Sequence, residues 1–187
     1  MEIGKYNFEL KKFNYLESRS EETHCFGATL YVNGKKLAEC GNSGQGGSTD
    51  VDIFPECRAL GNEVEDFLKM QPKIKDEDYE FELNLEYIVD VLVENLLIAK
   101  ELRKLKKMTE SALVFRSPSG DYFKIGWKGS SIESILKRQE GPEAIKNVIA
   151  VQVSKGHKLL NENIPRELLP AQASVIKPKK PTHPKIR

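Results

Sequence analysis

The sequence lacks a cysteine framework. Cys25, Cys40 and Cys57 are odd in number and widely spaced, which excludes a disulfide-stapled scaffold and fits a reducing compartment. It lacks long hydrophobic runs. No window nears the ~18 consecutive apolar residues of a membrane span, so no membrane partner is expected. The opening residues, MEIGKYNFELKKF, hold no apolar core of signal-peptide length. The expected location is therefore the cytoplasm. The chain also lacks charge of one sign: the formal net charge is +1. The molecule as a whole carries no electrostatic instruction about partners.

Cofactor fingerprints are missing as well. A phosphate-binding P-loop needs a lysine and a hydroxyl residue after its last glycine. The glycine-rich stretch here has Gly41, Gly44, Gly46 and Gly47, followed by Ser48, Thr49 and Asp50. The dinucleotide spacing G-x-G-x-x-G fails too, and no cofactor is expected. His24, Cys25, Cys40 and Cys57 lack the close ligand pairs of structural zinc. Adjacent His24 and Cys25 on a strand would point to opposite faces. Asp50, Asp52 and Glu56 have no EF-hand spacing, and no metal is expected. No G-x-S-x-G context is present. His157 and His183 fall in segments without a regular pattern. A non-enzymatic protein is the expectation.

What is present is ordinary globular material. The 187 residues are 39% hydrophobic and 30% charged, enough for one domain. Residues 2–16 alternate loosely and predict a strand. Strands follow at 23–32 and 35–40, joined by Asn33-Gly34, a preferred pair for a two-residue turn with positive φ. Phe26, Ala28, Leu30 and Val32 share one face. The stretch from Gly41 to Ser48 predicts a break in all regular structure. A helix is expected over 55–69, a linker or short strand at 76–82, and the longest helix over 85–107, capped by Asn84. Its basic residues would lie in the last two turns, complementing the helix dipole. A second hairpin pairs 112–116 with 122–127, with Tyr122, Phe123 and Trp127 in its core. Ser130 and Glu133 predict a capping box for a helix over 131–139, stopped by Gly141-Pro142. Val148, Ile149, Val151 and Val153 predict a last strand over 147–153.

The expected fold is α+β: a single domain over 1–165, with a mostly antiparallel sheet from two hairpins plus a last strand, one long helix and two short ones. A flexible, basic, Pro/Lys-rich tail over 166–187 carries Lys177, Lys179, Lys180, Lys185 and Arg187.

Candidate sites are few. Gly41, Asn42, Gly44, Gly46 and Gly47, with Asp50 and Asp52 beside them, form the candidate binding surface. A backbone nest there could instead hold an anion such as a nucleotide phosphate. Lys100, Arg103, Lys104 and Lys107 fall at i, i+3, i+4 and i+7, one helical stripe that could meet nucleic-acid phosphates.

The stretch Glu22 to Lys36 (ETHCFGATLYVNGKK), followed by Gly41 to Gly47 and by Leu113-Val-Phe-Arg116 with Gly120, resembles a group of uncharacterised small proteins from bacteria, phages and mobile elements. The likeness spans roughly 22–165. The group's histidine shortly after the double glycine is absent from Ser48–Phe54. The resemblance implies no activity. It does imply a mobile-element setting, with the host-cell cytoplasm as location and a host protein as partner. Inhibition of a bacterial defence system is one concrete form.

Overall fold

The computed structural model describes residues 1–76 and 79–171. The fold is α+β with antiparallel sheets. The chain divides into two compact units, whose described parts are residues 1–97 and 98–171.

In the first unit, strands β1 (Glu2–Ile3), β2 (Tyr6–Tyr15), β3 (Phe26–Val32), β4 (Lys35–Asn42) and β5 (Asp50–Ile53) form a meander in chain order. Asn33 and Gly34 take φ of 49° and 77°, so Val32 pairs directly with Lys35. Both residues tolerate the left-handed region, and this turn matches the twist of the strands. The Asn33 side chain also accepts the Asn7 amide at 2.7 Å, tying the turn to β2. Tyr6, Phe8 and Leu10 alternate inward from β2, and Phe26, Ala28, Leu30 and Val32 are all buried on β3. Lys12, at φ 52°, marks the bulge where the β2–β3 register shifts.

A 3-10 turn at Pro55–Cys57 leads into helix α1 (Arg58–Lys69), which buries Gly61, Val64 and Leu68. A short hairpin, β6 (Ile74–Asp76) and β7 (Tyr79–Phe81), follows. Its turn residues, part of the acidic stretch, lie outside the described residues. Helix α2 (Leu85–Ser111) then begins at Asn84, whose Oδ1 accepts the Tyr87 amide at 2.8 Å. Leu85, Ile88, Val89 and Val93 join the core built by the strands. Each such side chain contributes about 1.5–3 kcal/mol by leaving water.

The second unit takes the rest of α2 and a sheet of β8 (Ala112–Arg116), β9 (Tyr122–Gly126) and β10 (Lys158–Leu159), in the order β10-β8-β9. Helices α3 (Ile132–Leu136) and α4 (Gly141–Ser154) pack Ile132, Ile135, Ile145 and Ile149 against Leu113, Phe115 and Leu159. Asn161, almost fully buried, takes the Val114 amide on Oδ1 and donates to the carbonyls of Thr109 and Ala112.

Several local expectations are overturned. Residues 147–153 are helical within α4, not a strand. Gly141-Pro142 opens that helix instead of stopping one, because proline's missing N–H costs nothing in a first turn. The cap of α3 is Ser131, whose side chain accepts the Ser134 amide, not Ser130. Gly41 and Asn42 belong to β4, and Asp50–Ile53 is a strand paired to it. Helix α2 runs to Ser111, four residues past its expected end, so its final turn holds no basic residue, while Lys106 and Lys107 stay within its last two turns. Phe123 and Trp127 pack on the core as expected, but Tyr122 is 62% exposed. His157 is held by Gln152 at 2.8 Å and by the Phe123 ring. A 3-10 turn at Arg166–Leu168 puts Leu168 and Leu169 against the core. The remaining tail cations and His183 lie outside the described residues.

Candidate binding groove

The glycine-rich segment is not a loose connector. Asn42 is buried at the end of β4, and its Oδ1 accepts both the Gly44 amide and the Thr23 hydroxyl at 2.8 Å. Its Nδ2 donates to the Gly47 carbonyl at 2.9 Å. One side chain therefore staples both ends of the loop and the segment opposite. The Gly44 carbonyl accepts the amides of Glu21 and Glu22, each at 3.0 Å. Gly44 itself is buried at φ +88°, and a Cβ there would lie 2.1 Å from the Arg19 carbonyl. Only glycine fits such a position.

The loop ends at Thr49, which is fastened to α2. Its hydroxyl donates to Asp90 Oδ1 at 2.6 Å and its amide to Glu86 Oε1 at 3.3 Å. Glu86, Asp90 and Glu94 recur every four residues and so share one helical face. Glu94 meets His24 Nε2 at 3.5 Å, and the His24 ring stands edge-on to Tyr15.

Between these parts lies an open groove of about 570 Å³. Its floor includes Phe26 and Val93; Glu21, Glu22, Asp90 and Glu94 supply its charge. No lysine or arginine is among its described lining residues, and His24 is the one basic side chain there. Such a groove can take a partly apolar, positively charged segment.

The structure sorts the predicted residues. Asn42 and Gly47 line the groove, while Gly44 lies buried beneath the loop. The Gly44 and Gly46 amides already donate to Asn42 and Thr23, so the loop presents neither to an anion. Asp50 and Asp52 are exposed on β5 and do not line the groove. Lys100, Arg103, Lys104 and Lys107 are exposed on the second half of α2. Among the described residues, no group of three or more His, Cys, Asp or Glu is arranged to hold a metal ion. Cys25 and Cys40 are buried thiols, and burial pushes the Cys40 thiol up to about 12.

Sequence reasoning missed Glu21, Glu22, Asp90 and Glu94, and weighed His24 only as a zinc ligand. The helical spacing of Glu86, Asp90 and Glu94 in the otherwise largely apolar first half of α2 was the available signal. No family model, curated protein or solved structure matches this chain.

Proposed function

We propose that this chain is a non-enzymatic protein-binding module whose groove beside the glycine loop receives a basic segment of a partner. The observation that carries this reading is the groove itself. It has carboxylates, no lysine or arginine among its described lining residues, and walls held by short internal hydrogen bonds. Walls already ordered lose little entropy on binding. The likeness to phage and mobile-element proteins favours a host protein as the partner, with inhibition of a defence system as one form.

A labelled decapeptide rich in lysine and arginine tests the groove by fluorescence anisotropy. Binding should weaken with salt. It should fall several-fold in the Asp90→Asn/Glu94→Gln pair, which keeps an acceptor for Thr49. Equal affinity in the wild type and the pair would remove the reading. Deleting Gly41 to Gly47 is a poor test, because it removes the staple as well as the surface.

A second reading rests on the stripe of Lys100, Arg103, Lys104 and Lys107, all exposed on one helical face. It makes the chain a nucleic-acid-binding accessory protein, and predicts binding that weakens when Lys104 and Lys107 become Glu.

A further inference from the structure

The sheet of the second unit carries a surface that neither the groove nor the helical stripe uses. Lys158 on β10 pairs with Arg116 on β8, and Arg116 pairs with Tyr122 on β9. Directly opposed residues of antiparallel strands project to the same face. The opposite face is the core side, where Leu159, Phe115 and Phe123 stand in the next rung. All members of the Lys158–Arg116–Tyr122 row are exposed, Tyr122 at 62%. Strands about 4.8 Å apart make this row roughly 10 Å wide.

An exposed tyrosine at the end of a small sheet leaves its apolar ring in water and gains nothing from the core. Here it has a cationic companion: the Arg116 guanidinium lies 5.8 Å from the Tyr122 ring centre. Lys124, opposite Val114 and two residues along β9, adds a further cation to the same face. Among the described residues, Arg116, Lys124 and Lys158 make no ion pair. The nearest acid in sequence is Asp121, whose Oδ2 accepts the Ser119 hydroxyl at 2.7 Å within the hairpin loop.

We propose that the Lys158–Arg116–Tyr122 row, with Lys124, is a contact surface for single-stranded nucleic acid. The Tyr122 ring, and the guanidinium plane beside it, would stack a base. Lys124 and Lys158 would meet the flanking phosphates. Positive charge without acidic partners matches the polyanion. The exposed aromatic supplies the sequence-tolerant stacking that such binding uses. A duplex keeps its bases stacked inside and offers nothing to the tyrosine. This surface does not depend on the groove being a protein-binding site.

The test is anisotropy with a labelled oligothymidylate of about twelve nucleotides, at low salt, on the full chain. Wild type should bind with an affinity that falls as salt rises. Tyr122→Ala should weaken binding by roughly 5- to 100-fold, and Tyr122→Phe should largely restore it. Lys124→Glu with Lys158→Glu should weaken binding and flatten the salt dependence. The Lys104→Glu/Lys107→Glu pair, in the helical stripe, is measured beside them as the competing contact, and Tyr122→Ala should lose more affinity than it does. Trp127 fluorescence would show that each variant is folded. No binding by wild type, unchanged binding by folded Tyr122→Ala, or loss confined to the stripe variant would each overturn the proposal. Equal affinity for heparin and the oligonucleotide would also overturn it, because charge alone would then suffice.

Discussion

Replacing Asn42 with alanine is the sharpest test of how the groove is built. The substitution leaves the buried Gly44 amide without its acceptor at 2.8 Å. Stranding one buried donor costs about 1–3 kcal/mol. The bonds to Thr23 and to the Gly47 carbonyl also vanish, at roughly 0.5–1.5 kcal/mol each. Together these come to roughly 2–6 kcal/mol, and about 3 kcal/mol is expected because the Thr23 and Gly47 bonds are only part-buried. With a urea dependence of ~1–3 kcal/mol per molar, the midpoint should fall by about 1–3 M. Far-UV circular dichroism would follow the loss. The one tryptophan, Trp127, packs in the second unit, so its fluorescence should shift less than the dichroism if the damage is confined to the first. Amide exchange at Gly44 should accelerate. A loss under about 0.5 kcal/mol, with Gly44 exchange unchanged, would refute the staple.

Other perturbations follow from the same geometry. Gly44→Ala places a Cβ against the Arg19 carbonyl at φ +88°, and should cost roughly 3 kcal/mol or more by the same unfolding measurement. Glu63 accepts hydrogen bonds from Lys5 and Tyr6, chiefly Lys5, which hold its carboxyl below the ordinary 4.5. A lowered folded value means the contribution is present above that pH and is lost as pH falls through the folded value. Glu63→Gln should therefore flatten the acid limb of the stability profile below about pH 4.5, read by dichroism against pH. In native protein at mildly alkaline pH, iodoacetamide should label Cys57 before Cys40, whose thiol is buried and pushed up to about 12. Mass mapping would check the order, and Cys40 labelling first would contradict the fold.

Local chemistry made part of the fold legible. Asn33-Gly34 and Asn84 act within a few residues of themselves, so their turn and cap could be read directly. The segment 147–153 could not. Its β-branched alternation satisfies a strand, but Ile145 and Ile149 at i, i+4, both buried, satisfy a helix equally. Tertiary packing against Ile132 and Leu159 decided between them. Asp50–Ile53 was hidden by its brevity, since its strand character comes from pairing with Ala38 to Gly41. The groove was less legible still. Its determining contacts join Thr23 to Asn42, Thr49 to Asp90 and His24 to Glu94, and no local pattern announces such distant pairs.

Those contacts also order the groove by strength. The Thr49–Asp90 bond is short, and Thr49 is buried; breaking it would strand a polar group, so Asp90 is the carboxylate held in place. Glu94 is different. Its pairing with His24 is long, at 3.5 Å, between side chains exposed by 54% and 47%. Exposed pairs of that kind contribute about 0–1 kcal/mol, and this one needs a protonated histidine. A lysine or arginine entering under the proposed reading would displace His24 from Glu94 at little cost. It would leave the Asn42 staple and the Thr49 tether intact. The groove thus combines a rigid frame with one readily exchanged ion pair, and Glu94 is the carboxylate a basic side chain would meet first.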